Sequence, residues 1–446
     1  MDARTAVHDP ATRSAVRTAT RRLLPLLGLA YLLNYVDRVN VGFAQLKMGP
    51  DLGLSAAAFG LGAGLFFVGY FFFEIPSNVI LHRVGARLWI ARIMVTWGLV
   101  ASATAFISGE VSFYIVRVLL GFAEAGFFPG IVLYLSYWFP RVDRARIVAL
   151  FFLAVPLSSV IGGPVSTLLI QNGDGLLGFD AGWRFMFFVE GIPAILVGVA
   201  ILFLMPDRPT KAKWLPRAQA EALEATVAAE DERTVPHTTG VRAGLADRRV
   251  VALAATYFGI VFGLYVLGFF LPEIIKQFQS LYGVTYSLVQ IGLITAIPYA
   301  VASVAMFLWS RHSDRTGERA LHVAIPALVG AVGIVAAQLA GSPLMVMIFV
   351  TVCAVGVFAA IPPFWSLPNG FLTGVGAAAG IALINSFGNL SGFAGPFVSG
   401  WLQDLTGNAR AGFWVVAVMM AMAGLIALGF RRRTREQVPQ DRSNGG

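Results

Sequence analysis

Apolar runs of about twenty residues recur along this chain, separated by short polar joints, and they dictate the fold class. A run of that length, coiled as an α-helix, matches the hydrocarbon core of a bilayer. In lipid every backbone amide must be satisfied inside the protein, which leaves helices or closed barrels, and runs this long fit the helix. Twelve spans are predicted, at about 23–46, 56–81, 87–108, 111–138, 146–170, 183–205, 250–275, 286–310, 320–340, 343–365, 376–403 and 411–430. Composition agrees: 57% of the 446 residues are hydrophobic and 13% charged, against about 25% charged in soluble domains. Mean hydropathy is +0.73. An all-α membrane protein with twelve transmembrane helices is expected. The first 22 residues are polar, hold five arginines and contain no cleavable leader, so the first span is expected to act as an uncleaved anchor.

A formal charge of +9 would fit a nucleic-acid partner, but the positions of the charges argue against one. Of the 33 Lys and Arg, 26 fall in the N-terminal tail, alternate joints and the C-terminal tail, and only Arg38, Lys47, Arg92, Arg117, Arg184, Lys276 and Arg410 lie elsewhere. This is the positive-inside pattern, and it places both termini in the cytoplasm. The lone Cys353 allows no intramolecular disulfide. The five histidines, His8, His82, His237, His312 and His322, show no metal-ligand spacing. Between spans six and seven a charged stretch runs from Asp207 to Arg249, with a helix-like segment over 216–229 expected at the cytoplasmic surface.

The halves repeat. His82-Arg-Val-Gly-Ala-Arg87 corresponds to Asp314-Arg-Thr-Gly-Glu-Arg319, and Gly163-Pro164 to Gly395-Pro396, both at an offset of 232. One offset shared by two unrelated features argues for duplication. The expected layout is a tail over 1–22, a six-helix bundle over 23–205, a loop over 206–249, a second six-helix bundle over 250–430 and a tail over 431–446. Repeats of this kind mark transporters, with the binding site near mid-membrane. At the same offset Asp37, Arg38, Arg117 and Glu124 map onto Phe269, Phe270, Phe349 and Gly356. Charge recognition and coupling are therefore expected in the first half, and an apolar wall with hydrogen-bonding groups in the second.

The first span contains Tyr31-Leu-Leu-Asn-Tyr-Val-Asp-Arg-Val-Asn40. An ionised side chain at mid-membrane costs about 2.5–3.5 kcal/mol on translocon scales, so such residues usually line a cavity. Tyr31, Asn34, Arg38 and Gln45 share one helical face and Asp37 points to its side. In the fourth span Arg117 and Glu124, seven apart, also share a face. A fixed guanidinium suits bidentate capture of a carboxylate, and a carboxyl beside it can load and release a proton. Asp37 and Glu124 are the carboxyls expected well inside this half. Glu74, one turn from Tyr70, reads as a gate or packing group. Arg92 and Glu190 read as residues near span ends that snorkel to water. In the second half Trp365, Ser366, Asn369, Asn385, Asn389, Tyr257 and Tyr265 are candidate cavity-lining groups. The basic loop around Asp314, Arg315 and Arg319, with its first-half counterpart Arg83 and Arg87, reads as a gate. No nucleophile–base set stands out, so an enzyme is not expected.

These residues resemble the major facilitator superfamily over about 20–430, through the duplicated loops and the six-plus-six layout. More narrowly the chain is similar to the anion:cation symporter family. That likeness rests on Asn34-Tyr-Val-Asp-Arg-Val-Asn40, Arg117 through Pro129, Gly85-Ala-Arg-Leu-Trp-Ile-Ala-Arg92, Asp207-Arg-Pro209 with Lys213-Trp-Leu215, and Asn385-Ser-Phe-Gly-Asn389. The resemblance implies the major facilitator fold and proton-coupled uptake of a small organic carboxylate across a bacterial inner membrane by alternating access. It implies anion-binding roles for Arg38 and Arg117, protonation roles for Asp37 and Glu124, and cavity-lining roles for Tyr70 and Asn385. His82 departs from the family's aspartate in the first-half loop. The expected partners are the organic anion, protons and the bilayer, with no cofactor, no metal, no nucleic acid and a functional monomer. The alternatives are an exporter of amphipathic compounds and a sodium-coupled anion carrier.

Overall fold

The computed structural model describes residues 9–140, 143–144, 147, 151–232, 247–368 and 374–436, and among them every regular element is helical. The long helices are α1 (Pro10–Leu52), α2 (Ala56–Val84), α3 (Ala86–Ala103), α4 (Glu110–Glu124), α5 (Phe127–Trp138), α6 (Ala154–Asn172), α7 (Gly182–Leu204), α8 (Arg217–Glu232), α9 (Arg248–Lys276), α10 (Leu288–Thr316), α11 (Ala320–Leu339), α12 (Pro343–Ser366), α13 (Gly374–Thr406) and α14 (Gly412–Glu436). Local chemistry sets several of their ends. Asp9 accepts from Ala11 N ahead of Pro10 at the start of α1, and Ser55 and Ser342 cap α2 and α12 in the same way. Gly53 closes α1 in the left-handed region at φ 63°.

Ten helical stretches among the described residues are long and apolar enough to span a membrane, with α4 and α5 together forming one of them. The predicted first and eleventh spans, α1 and α13, are absent from that set. Both are long enough, and polar groups such as Asp37, Arg38, Asn385 and Asn389 dilute them. With these two the count reaches the twelve-helix arrangement.

The N-terminal segment differs from the polar tail expected. Residues 10–22 continue the first span as a single 43-residue helix. Ala15, Ala19, Leu23 and Leu27 recur every fourth residue and are buried, as are Ala220, Leu223 and Val227 of α8, which packs along this extension. Thr12 and Thr226 hydroxyls meet at 3.4 Å.

The fourth span is also not continuous. α4 stops at Glu124, Ala125 is extended at ψ 133°, and Gly126 takes φ 87° before α5 begins. A side chain at Gly126 would run into Ser77. Ser77 Oγ donates to the freed Ala125 carbonyl at 2.7 Å and accepts from Trp89 Nε1 at 2.9 Å, so the break is hydrogen-bonded from inside the protein. Irregular backbone at membrane depth is tolerated only when so satisfied, or where it lines a cavity.

Contacts group the chain into two units. The first holds residues up to 236 with segments 268–300 and 393–409; the second holds 237–267, 301–392 and 410 onward. In the first, α3 packs on α7, α2 on α4 and α1 on α6; in the second, α11 packs on α12 and α14. At the end of α2 opposite its own basic loop, the Asp404 carboxylate accepts from Ala56 N at 3.0 Å and Ala57 N at 2.8 Å, tying the end of α13 to the positive end of α2. Lys276 Nζ donates to the Leu46 carbonyl at 3.0 Å. Beside these groups lies a pocket of about 260 Å³ lined in part by Gln45, Phe59, Phe270 and Glu273.

Candidate functional site

The first unit gathers the charged residues of α1 and α4. Arg38, Asp37, Asn34, Tyr70, Arg117 and Glu124 are all buried. The pairing differs from sequence order. Glu124 is seven residues from Arg117, yet its carboxylate Oε1 pairs with Arg38 Nη2 of α1. Its Oε2 is buried without a hydrogen bond. The Arg38 guanidinium also lies 4.9 Å from the Tyr35 ring centroid, 5.1 Å from Phe66 and 5.7 Å from Tyr70. Tyr70 thus belongs to the wall around Arg38. Glu74, half-buried one turn further on, lies within electrostatic reach of the same arginine.

Asp37 turns away from its sequence neighbour. Its carboxylate accepts from Trp97 Nε1 of α3 at 2.5 Å, and it lies within electrostatic reach of Arg117 and Glu190. Arg117 is 2% exposed. Its Nη2 approaches the Ala63 carbonyl at 3.5 Å, and its guanidinium sits 5.1 Å from the Phe66 centroid. Nε has no partner, and among the described residues no carboxylate lies within ion-pair distance. The Asn34 amide nitrogen is likewise buried without a partner. A buried cation in this state, with a donor unmet and another guanidinium nearby, has the chemistry to accept an anion.

Glu190 is a correction to the sequence reading. It does not snorkel from a span end. It is 7% exposed, with Oε2 accepting from Asn40 Nδ2 at 2.8 Å and Oε1 from Ser166 Oγ at 2.7 Å. The unit therefore holds a third buried carboxyl beside Asp37 and Glu124. The signal available was its depth, the ninth residue of α7; its partners, on α1 and α6, are remote in sequence. Arg92 is half-buried, its guanidinium 3.8 Å from the Trp89 ring centroid.

In the second unit Trp365 packs edge-on to Tyr257 at 4.9 Å, and Tyr257 stacks on Phe364 at 4.9 Å. Gly388, one turn beyond Asn385 on α13, lies against the Tyr257 ring. Trp365, Ser366, Asn385 and Asn389 are all partly exposed, and Tyr265 is buried. Asn369 lies outside the described residues.

The two basic loops are secured differently. In the second, Arg319 Nη1 bonds Asp314 Oδ1 at 2.7 Å and Ser313 Oγ at 3.0 Å, and Arg315 is exposed. In the first, His82 and Arg83 are exposed, and Arg87 finds its carboxylate on Asp207, beyond α7, with Nε 3.5 Å from Oδ2. A carboxylate from the following loop thus serves where the repeat has lost its aspartate. Beside the second loop the rings of His312 and His322 meet at 2.7 Å, and Trp309 Nε1 donates to the His322 carbonyl at 2.8 Å. Spacing alone did not reveal that pair.

Comparison with known proteins agrees with this layout. A family model for the Major Facilitator Superfamily matches residues 27–383. A putative tartrate transporter of Agrobacterium vitis is 50% identical over 429 residues, covering 96% of this chain and 94% of the relative. A quinolone resistance transporter of Acinetobacter baumannii is 42% identical, covering 93% and 94%. Among solved structures, a bacterial homologue of the human lysosomal transporter Spinster superposes with a TM-score of 0.73 at 18% identity, covering 95% of this chain and 98% of that one.

Proposed function

We propose, from the premise that this chain belongs to the Major Facilitator Superfamily of transporters, that it takes up a small organic carboxylate together with protons. The observation that carries this reading is Arg117, a buried guanidinium whose Nε has no acceptor among the described residues, in the same unit as the Arg38–Glu124 pair. A substrate carboxylate supplies the acceptors Arg117 lacks, in the fork geometry a guanidinium favours. Asn34, Tyr70 and, from the second half, Trp365, Ser366 and Asn385 are assigned to the rest of the substrate. The half-identical relative is named for tartrate, which makes hydroxy-dicarboxylates the first class to try.

Coupling follows from the energetics. Moving one negative charge inward against about 100 mV costs about 2.3 kcal/mol, close to fifty-fold in concentration. A proton carried with a monoanion removes that penalty, and a further proton drives accumulation. Asp37 and Glu124 are assigned to carry them. Substrate arriving at Arg38 competes for the guanidinium that Glu124 holds, and a protonated Glu124 releases it without leaving a buried bare charge. Transport is assigned to alternating access, with Arg83, Arg87, Asp314, Arg315 and Arg319 assigned to the gate at the cytoplasmic face of a bacterial inner membrane.

The test is uptake by purified protein in liposomes, screening labelled carboxylates that include tartrate, under an inward proton gradient, an inward sodium gradient, or neither. Accumulation driven by protons alone is expected. Accumulation that follows sodium, or uptake of no carboxylate, overturns the reading. The relative named for quinolone resistance favours one rival, an exporter of amphipathic compounds. That rival requires drug efflux from loaded liposomes and indifference to Arg117→Ala.

A further inference from the structure

The Glu190 cluster lies outside the machinery assigned above. Three helices of the first unit converge on it: α7 supplies Glu190, α1 supplies Asn40 and α6 supplies Ser166. Their side chains are all at least nine-tenths buried. Two donors meet the two carboxylate oxygens, so each oxygen of the ionised form accepts one hydrogen bond. Asn40 Oδ1, however, is buried with no donor facing it among the described residues. An amide in that position has two uses: it gives its N–H to a carboxylate, or, turned over, its carbonyl accepts the O–H of a carboxylic acid. The cluster is therefore built to accommodate both states of Glu190, whereas a purely structural carboxylate needs only one.

The charged surroundings are sparse. From α1, Asp37 faces Glu190 electrostatically, and Arg117 of α4 in turn faces Asp37. α6 contributes Ser166 and Thr167, and the latter bonds its own helix at Gly163 O. α3 contributes Trp97, which is held by Asp37, and Ser102, which donates to Phe188 O. Arg184, two turns back on α7, is occupied with the Ala105 and Ile107 carbonyls and with Asp180. No cation among the described residues lies within ion-pair distance of Glu190. Asp37 and Glu190 are carboxyls within electrostatic reach of each other, and the arginine in reach of Asp37, Arg117, is the one assigned to substrate.

We propose that Glu190 is a proton-binding site in its own right, a third carboxyl that loads from water or from Asp37 and releases again, with Asn40 as the amide that follows its state. This deepens the symport reading and rests on it for its place in a transport cycle. Loading forms an O–H bond on a Glu190 carboxylate oxygen; release returns the proton to water or to the Asp37 carboxylate, and nothing else is consumed.

The experiment needs no substrate. Infrared difference spectra of purified protein between pH 5 and pH 9, with glutamate labelled with carbon-13 at the side-chain carboxyl, isolate glutamate acid bands from aspartate ones. One glutamate band is expected to vanish in Glu190→Gln and persist in Glu124→Gln. Should Glu190→Gln fail to fold, Ser166→Ala and Asn40→Ala keep the carboxyl and change its hydrogen bonds, so each must move the frequency of that same band. A full set of glutamate bands unchanged by all three variants overturns the proposal. The transport arm is separate. If the band titrates as expected but the parent protein shows no proton-driven uptake, the site stands and the symport reading fails; proton-driven uptake with no Glu190 band gives the reverse.

Discussion

Arg38 and Arg117 carry the same charge within one bundle, but among the described residues Arg38 has a carboxylate partner and Arg117 has none within ion-pair distance. That difference separates their variants. Arg38→Ala strands Glu124 as a buried charge, a change that typically costs about 3–5 kcal/mol; thermal unfolding and substrate affinity should fall together. Arg117→Ala removes a cation with no ion-pair partner. Its melting temperature should stay at or above the parent value while affinity for the carboxylate found in the uptake screen drops roughly 10- to 100-fold, the loss of about 1.5–3 kcal/mol in charged hydrogen bonds. Arg117→Lys keeps the charge without the fork and should fall in between. Melting curves and equilibrium binding on the same preparations decide this, and a large loss of stability in Arg117→Ala counts against the receptor reading. Proton coupling gives a second comparison. Glu124→Gln, and in the same way Asp37→Asn, should abolish accumulation under an inward proton gradient, while at least one of them retains counterflow between substrate pools. Parent-like accumulation in both variants removes these carboxyls as carriers. The sequence made the charges legible, because Asp, Arg and Glu inside apolar runs are costly and conspicuous. It did not make their partners legible. Glu124 pairs across helices with Arg38 rather than along its own helix with Arg117, and Glu190 takes its donors from residues 40 and 166, and no local spacing encodes such choices.

The helix break between α4 and α5 shows what periodicity misses at the scale of an element. Residues 111–138 read as one apolar span, since hydropathy is blind to one extended residue followed by one left-handed glycine. The interruption falls directly after Glu124, and it holds that carboxyl at the end of one short helix instead of mid-way along a long one. Discontinuous helices at membrane depth are a recurrent way to place ion and substrate groups. Gly126→Ala should cost about 1–2 kcal/mol from the left-handed backbone alone, with further loss from the contact of its new side chain with Ser77. Ser77→Ala leaves the Ala125 carbonyl without its donor and should lower stability by about 1–3 kcal/mol. If both variants melt with the parent, the break is not held as described. The loops repeat this lesson in milder form. The repeat itself was plain from a shared offset, but the replacement of the lost aspartate at His82 by Asp207 was not, because Asp207 lies 120 residues from Arg87.

For the molecule as a whole, the layout was the most legible level, because it depends on sums over many residues. Run length fixes helices, and the distribution of basic residues gives them an expected orientation. What the sums missed is local: residues 10–22 are polar in composition, yet the fourfold spacing of Ala15, Ala19 and Leu23 gives them a face that α8 covers. The orientation argument yields the final prediction. Both helix ends joined by α8 and the start of α1 should lie in the cytoplasm with the C-terminus, since 26 of the 33 basic residues fall in the two tails and alternate joints. Lys and Arg near span ends resist translocation, and short loops obey this bias most strictly. The 206–249 stretch is short enough to count, and its eight basic residues make it the strongest single determinant. Reporter fusions active only in the cytoplasm should therefore be active at the N-terminus, within 217–232 and after 436, and inactive in the joint between α3 and α4. The contact between Thr12 and Thr226 makes the first two sites interdependent: paired cysteines there should cross-link in inverted vesicles without permeabilisation. Activity of the α3–α4 fusion, or silence of the loop fusion, reverses the orientation and with it the direction of proton-driven uptake.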